Sequence, residues 1–147
     1  MRLIEYKKAR LKYAILERYE AGLELSGSEV KALRNKQGSL EGARTVVRGG
    51  EAYLAGATIP PYQVANTSKG YDPERARRLL LTKKEITELA AAESRKGLTI
   101  VPLEVYTKGG LVKLSLAVVR GKSAHDKRED LKAREAKREA ERILKRG

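Results

Sequence analysis

Five cationic side chains lie close together in one stretch of the sequence and are suited to binding phosphate. They are Arg75, Arg77, Arg78, Lys83 and Lys84. An arginine guanidinium can hold a phosphate with two parallel N–H donors, whereas a lysine ammonium acts as a point charge. The Asp72-Pro73 pair just before them predicts the start of a short helix, whose free N–H groups would also attract an anion. A solvated charged surface is the alternative to phosphate binding.

A second set of charged residues falls within one predicted helix, which starts after Ser26 and runs to about Lys36. In this helix Lys31 and Arg34 are three residues apart, so they share a face. Ser26 and Glu29 fit a capping box, in which each side chain accepts a hydrogen bond from the other residue's backbone N–H. Capping is a sufficient explanation of Glu29, whose position alone does not indicate a functional role.

Seven tyrosines are the only aromatic residues of the chain, and tyrosine rings can stack on nucleobases. Because Phe and Trp are absent, we expect most of these rings to fill the core or its rim. Tyr62 and Tyr71 lie near the basic segment and are therefore the better candidates for contact with a base.

Nothing in the sequence assembles a catalytic or metal-binding site. The only histidine, His125, lies in a polar segment, and there is no cysteine. The motifs of serine hydrolases, P-loop proteins and zinc proteases are missing, and most carboxylates lie one helical turn from a Lys or Arg, as surface ion pairs do. We therefore expect no enzymatic activity, no metal and no cofactor, with an RNA-processing hydrolase as an alternative.

Short strands and two capped helices are expected to position the charged residues. Strands are predicted at 18–25, 43–48, 51–59, 98–106 and 111–119, with tight turns at Gly49-Gly50 and at Lys108-Gly109-Gly110. A second capping box, Thr82 with Glu85, predicts a helix over 83–95. This pattern favours a mostly β, α+β fold with an OB-like antiparallel β-barrel.

The net charge indicates a nucleic-acid partner. The chain carries 32 Lys+Arg against 19 Asp+Glu, a formal net charge of +13, and RNA is the first candidate to neutralise it, ahead of a membrane surface. Residues 1–120 hold 22 Lys+Arg and 13 Asp+Glu, a net of +9, and residues 121–147 hold 10 and 6, a net of +4. We predict a body over 1–120 and a basic tail over 121–147, which is helical by composition and ordered by a partner.

The N-terminal residues carry charges inside their first apolar stretch, which argues against a signal peptide. No run of about 18 apolar residues is present that would predict a transmembrane helix. We therefore expect a cytoplasmic monomer that does not bind membranes.

Several motifs resemble those of one family, small protein B (SmpB), over about Tyr6 to Arg142. The matching segments are YEAGLELSGSEVKALR (19–34), GEAYL and IPPY (50–54 and 59–62), DPERARRLLLTKKEI (72–86), KGLTIVPLEVY (96–106) and GKSAHDKRED (121–130). No single segment is specific, whereas their order and spacing together are.

The resemblance implies an OB-like barrel that binds the tRNA-like domain of transfer-messenger RNA (tmRNA) and takes part in the rescue of ribosomes stalled on broken messages. The body would replace the missing lower half of a tRNA. The tail would enter the small ribosomal subunit near the decoding site and lie helical in the empty mRNA channel. The family's RNA-binding motifs correspond to Glu29, Lys31, Arg34, Arg75, Arg77, Arg78, Leu80, Leu81 and Lys83. Its ribosome-binding tail signature corresponds to Gly121, Lys122, His125, Asp126, Lys127 and Arg128.

The sequence departs from the family pattern at several positions. Thr82 stands where the family usually has His or Asn, and Ser123 replaces the second lysine of a GKK motif. The lack of Phe, Trp and Cys also fits a redesigned member of the family. In a phosphate-rich channel His125 would be protonated or would stack on a base. A general OB-fold module that binds nucleic acids without a ribosomal role is the main alternative function.

Overall fold

The computed structural model describes residues 1–63, 69–122 and 124–146, with their side chains except those of 124–127, 130 and 146. Within these residues, seven strands and four helices make up the regular structure. The strands are β1 (Arg2–Glu5), β2 (Tyr13–Leu23), β3 (Arg44–Arg48), β4 (Glu51–Ala55), β5 (Arg77–Leu80), β6 (Leu98–Lys108) and β7 (Leu111–Gly121). The helices are α1 (Ala9–Lys12), α2 (Gly27–Arg34), α3 (Lys83–Glu93) and α4 (Ala124–Arg146).

The strands form one antiparallel sheet in the order β1-β6-β7-β2-β5-β4-β3. A mostly β fold with flanking helices is therefore confirmed. The predicted closed barrel is not confirmed, because among the described residues the two end strands, β1 and β3, do not pair with each other. The sheet nevertheless curls, since β3 contacts β6 across it.

Two predicted hairpin turns are confirmed, and both depend on glycine. Gly49 and Gly50 join β3 to β4 with φ angles of 58° and 76°, and Gly109 and Gly110 join β6 to β7 with φ angles of 58° and 78°. Successive positive φ angles are typical of the tight turns that match the twist of paired strands, and glycine adopts them without steric cost.

Both capping boxes are also confirmed. The backbone N–H of Glu29 donates to Ser26 Oγ over 3.3 Å, and that of Glu85 donates to Thr82 Oγ1 over 3.2 Å. Each glutamate returns the bond by accepting from the backbone N–H of its cap residue. These local bonds explain why α2 and α3 start where the sequence predicts.

The short helix predicted at Asp72-Pro73 is wrong, because this segment is a turn that leads into β5. The Asp72 carboxylate accepts the backbone N–H of Glu74 at 2.9 Å, which closes a turn rather than a helical cap. The Pro73 carbonyl is bound by the Arg77 guanidinium at 2.8 Å. The segment therefore offers no helical N-terminus to an anion.

The N-terminal region holds elements that the sequence pattern did not predict. Strand β1 and helix α1 precede β2, which starts at Tyr13 rather than at Arg18. Tyr13 pairs with Gly121 at the far end of β7, so the long partner strand extends β2. A bulge between Ile15 and Glu17 interrupts the alternation of side chains that would reveal this strand in the sequence.

The main buried cluster joins the sheet to α2 and α3 and contains Leu33, Leu54, Leu79, Leu89 and Leu114 among its fully buried side chains. A smaller buried cluster contains Val101, Ala117 and Val119. The helix predicted for the tail is present as α4, and its described side chains are exposed. That the tail becomes ordered only with a partner stays a prediction.

Candidate nucleic-acid interface

Helix α2 has one buried face and one cationic face. Glu29, Ala32 and Leu33 point into the protein, at the i, i+3 and i+4 spacing of one helix face. Lys31 and Arg34 lie on the opposite side and are exposed. The helix therefore presents two cations to solvent and sends one carboxylate into the core.

The buried carboxylate of Glu29, which is 1% exposed, is bound on both oxygens. Its Oε1 accepts the Ser26 backbone N–H at 2.9 Å and an N–H from Arg75. Its Oε2 lies 2.9 Å from Arg77 Nε and 2.8 Å from Arg77 Nη2. We call Glu29, Tyr71, Arg75 and Arg77 the Glu29 cluster; it joins α2 to the turn before β5.

Arg77 is fully buried, and protein atoms bind its guanidinium on every side. Nη1 donates to the Ala57 carbonyl and Nη2 to the Pro73 carbonyl, each over 2.8 Å. Nη2 also lies 3.3 Å from the Tyr71 hydroxyl, which itself donates to the Ile59 carbonyl over 2.7 Å. In this conformation the Arg77 guanidinium and the Glu29 carboxylate are both inaccessible to RNA.

The electrostatics of the cluster favour the ionised carboxylate. Desolvation on its own would raise the pKa of Glu29, yet hydrogen bonds from Arg75, Ser26 and Arg77 outweigh it and hold the pKa at about 2, below the ordinary 4.5. Burial and the nearby Glu29 charge raise the pKa of Tyr71, which keeps its phenol protonated. A neutral phenol and an ionised carboxylate are the forms that this set of bonds requires.

The arginines that the sequence predicted as one cluster lie on opposite sides of strand β5. In β5 Arg77 and Leu79 are buried, whereas Arg78 and Leu80 face outward, because successive side chains of a strand alternate. Arg78 is held on the surface by carboxylates, with Nε 3.1 Å from Glu51 Oε2 and Nη1 3.5 Å from Glu24 Oε2. Adjacent arginines in the sequence therefore have different environments.

The exposed members of the predicted set surround α2 and β5. Leu80 is 50% exposed, and Arg34 lies beside it in a depression that also includes Leu25, Val30, Leu111 and Lys113. Lys31 Nζ lies 6.0 Å from the centre of the exposed Tyr62 ring, within range of a cation–π contact. We call Lys31, Arg34, Tyr62, Arg75, Arg78 and Leu80 the α2–β5 surface, of which Arg75 is partly exposed.

Two predicted site residues lie at the junction of β5 and α3. Leu81 is half-buried and packs against the core, whereas Lys83 is the first residue of α3 and is exposed. Between them, the Thr82 hydroxyl caps α3. Thr82, which departs from the family pattern, therefore stabilises the start of α3 in this chain.

The predicted tail signature begins at the end of the sheet. Gly121 is the last residue of β7, and the Lys122 backbone N–H donates to the Lys12 carbonyl over 3.0 Å. Lys122 Nζ also donates to the Arg10 carbonyl. Arg128 is exposed on α4. The side chains of His125, Asp126 and Lys127 lie outside the described residues, so their predicted contacts stay predictions.

The pattern of α2 contains a signal for the Glu29 cluster that our sequence interpretation missed. A glutamate that shares a face with Ala32 and Leu33 occupies a core position, and a buried carboxylate needs a cationic or hydrogen-bonding partner. Capping accounts for the position of Glu29, but it does not predict that the buried carboxylate needs a further partner. Lys113 and Leu111 reach the depression beside Leu80 only through tertiary pairing, and the sequence has no such local signal for them.

Within the described ranges, no group of three or more His, Cys, Asp or Glu side chains is arranged to hold a metal ion. None of the described helices is long and apolar enough to span a membrane.

Comparison with known proteins gives consistent matches over almost the whole chain. The family model described as SmpB protein matches residues 3–146. The SsrA-binding protein of Thermosynechococcus vestitus is 49% identical over 143 residues, which cover 97% of this chain and 94% of that relative. The SsrA-binding protein of Lactiplantibacillus plantarum is 43% identical over 143 residues, covering 97% of this chain and 91% of that relative.

A solved structure has the same architecture. It is a chain described as tmRNA–SmpB in the bacterial ribosome, which is 39% identical and aligns with a TM-score of 0.70 over 89% of this chain and 95% of that chain. The sequence and structural similarities agree with the resemblance seen in the motifs. This chain belongs to the SmpB family.

Proposed function

We propose that this protein is the tmRNA-binding adaptor of trans-translation. It binds the tRNA-like domain of tmRNA, delivers tmRNA to stalled ribosomes, and probes the empty mRNA channel beside the decoding site of the small subunit with its C-terminal tail. The similarity to a chain described as tmRNA–SmpB in the bacterial ribosome carries this proposal, and the name SsrA-binding protein of its relatives supports it.

The α2–β5 surface is the proposed contact for the tRNA-like domain, together with Lys83. Lys31 and Arg34 are exposed and are suited to phosphate contact, while Leu80 offers an apolar patch beside them. Glu29 and Arg77 act as positioning residues, because they are buried and bound to each other. Their role is to hold α2 against β5 so that the exposed cations match the spacing of the RNA.

Three further properties belong to this proposal. The curled sheet functions as an OB-like surface, which the contact of β3 with β6 supports. The protein acts by binding rather than by catalysis, as a monomer in the cytoplasm. The body over 1–120 holds tmRNA, and the tail over 121–147, including His125, Asp126 and Lys127, contacts the ribosome.

A competition assay tests the function against the alternative of a general nucleic-acid-binding module. A fluorescent tRNA-like domain is bound to the full chain at one fixed salt concentration, since affinities at different salt are not comparable. We expect unlabelled tRNA-like domain to displace it at concentrations at least about 1,000-fold lower than an unrelated single strand of equal length, the lower end of the range for specific over non-specific binding. Equal displacement would favour the general module.

The salt dependence of binding should distinguish contact residues from positioning residues. The double variant Lys31→Met, Arg34→Gln is expected to lower the slope of log affinity against log salt by about 2, because two phosphate contacts are lost. A matched double variant of exposed cations elsewhere, Arg44→Gln with Lys96→Gln, should leave the slope unchanged. If both double variants gave the same slope, the phosphate contacts would lie outside α2.

A further inference from the structure

One glycine lies within the central strand β2 rather than in a turn. Gly22 stands between Ala21 and Leu23, which are both buried, so position 22 faces outward. It pairs with Leu80 of β5 on one side and with Lys113 of β7 on the other. A glycine weakens the interior of a strand and often marks a place where another group approaches closely.

The backbone at position 22 does not require glycine, but the space beside it does not accept a side chain. Gly22 has no positive φ angle, unlike the glycines of the two hairpin turns, so other residues could adopt its backbone conformation. A β-carbon at this position would lie 3.1 Å from Leu80 Cβ and 3.3 Å from Leu80 Cδ1. Carbon atoms prefer a separation of about 3.5–4.0 Å. The Leu80 side chain therefore lies across β2, over the space that Gly22 leaves empty.

In this position the Leu80 side chain forms part of a depression on the outward face of the sheet. Leu80 and Leu111 are large apolar side chains, yet they are 50% and 62% exposed. Arg34 and Lys113 also line the depression, and none of its lining residues is a carboxylate. We call it the Leu80 depression. Its apolar surface is open to solvent, where a ligand can cover it.

The two cations of the Leu80 depression are available to an anion. Among the described residues, no carboxylate lies within ion-pair distance of Arg34 or Lys113. Arg78, on the same surface, is by contrast bound to two carboxylates, those of Glu24 and Glu51. An apolar floor flanked by such cations suits an unpaired nucleobase, because the ring packs on the leucines while the cations bind the neighbouring phosphates.

We propose that Gly22 is a positioning residue for RNA recognition. It lets Leu80 lie across β2, and in that position Leu80 seats one unpaired base of the RNA between Arg34 and Lys113. The lining has no carboxylate, amide or hydroxyl side chain that could read a base edge, so the seat selects an unstacked base rather than one base type. An apolar peptide would use the leucines but not the two cations. This role rests on the proposed function for its ligand, the tRNA-like domain.

The first test concerns the free protein and needs no RNA. We expect a nuclear Overhauser effect between the Leu80 methyl groups and the α-protons of Gly22, because the leucine lies over the glycine. In the Gly22→Val variant the valine takes this space, and the Leu80 methyl resonances should shift as the side chain moves off β2. Absence of the contact in the parent chain would overturn the positioning role.

The second test measures the affinity of the full chain for the tRNA-like domain and for a short oligoadenylate at one fixed salt concentration. Gly22→Val is expected to weaken binding of both RNAs at least about fivefold, the lower end for loss of one base contact. The salt slope should not change, because no cation is removed. Gly22→Ala needs a smaller displacement of Leu80, so its affinity should lie between those of the parent and Gly22→Val. In a Leu80→Ala background, Gly22→Val should cost less than about twofold, because it acts through Leu80.

Ser115→Val is the matched control, since it adds a branched side chain to the same outward face outside the Leu80 depression, and it should bind as the parent does. Circular dichroism identifies the variants that are folded, and Gly22→Ala carries the comparison if Gly22→Val is not. The positioning role is refuted if the folded Gly22 variants bind both RNAs as the control does, or if the costs of Gly22→Val and Leu80→Ala add in full. Failure of the parent to bind the tRNA-like domain would instead refute the proposed function, while the oligoadenylate series would still test the seat.

Discussion

Replacing Glu29 with alanine is expected to lower the free energy of unfolding by about 3–5 kcal/mol, the range for removing one partner of a buried ion pair. The substitution leaves the fully buried Arg77 guanidinium without its counter-charge and removes the bond that holds Arg75. It also removes one half of the capping box at Ser26. Urea unfolding, followed by circular dichroism, measures the loss.

The matched control is Glu24→Ala, which removes a carboxylate from an exposed ion pair with Arg78. Exposed pairs contribute at most about 1 kcal/mol, so this variant should remain close to the parent. If Glu29→Ala cost no more than Glu24→Ala, then Glu29 would serve only as a cap. Replacing the buried pair together, Glu29→Leu with Arg77→Met, should recover part of the loss because no charge is left buried.

Acid titration provides an independent measure of the same interaction. The pKa of Glu29 is lowered from 4.5 to about 2 in the folded protein, so its contribution to stability is present above the unfolded pKa and is lost as the pH falls through the folded one. This contribution is about 3 kcal/mol and should disappear between about pH 5 and pH 2. The Glu29→Gln variant should lack this part of the acid dependence.

A loss of stability does not show whether Glu29 positions α2 for RNA binding or only supports the fold. The RNA affinity of a folded Glu29 variant does. At a temperature where Glu29→Gln remains folded, we expect weaker binding to the tRNA-like domain with an unchanged salt slope, because Lys31 and Arg34 stay exposed. An unchanged affinity in the folded variant would show that the position of α2 is not important for recognition.

Removing the tail after Lys122 is expected to abolish ribosome rescue while affinity for the tRNA-like domain stays within about twofold. The cut preserves β7, whose last residue Gly121 pairs with Tyr13, and the bond from the Lys122 N–H to Lys12. The described side chains of α4 are exposed, so their loss takes nothing from the core. Fluorescence titration measures the RNA affinity, and tagging of a protein encoded by a message without a stop codon measures rescue.

A chain with the residues after Lys122 in reversed order is the control, because it keeps the length, charge and helix-forming composition of the tail. We expect it to bind the tRNA-like domain normally and to fail in rescue. Rescue by the reversed tail would mean that charge alone is sufficient. Loss of RNA binding in the truncated chain would contradict the division into body and tail.

Local patterns predicted the elements whose stabilising bonds lie within a few residues. Ser26 with Glu29 and Thr82 with Glu85 are bonded three residues apart, and Gly49-Gly50 and Gly109-Gly110 form tight turns. The starts of α2 and α3 and the two hairpins could therefore be derived from the sequence. Strand β1 and the first part of β2 depend on pairing with β6 and β7 about 100 residues away, so local patterns do not contain them.

The amino-acid sequence by itself determined the basic character of the chain, its family motifs and the candidate RNA-binding residues. Only the tertiary structure decided which of those residues face solvent. Arg77 and Arg78 are adjacent in sequence, yet one is fully buried against Glu29 and the other lies on the surface. The physical reason is that side chains alternate along a strand, and which side becomes the interior depends on how β5 packs between β2 and β4 and against α2.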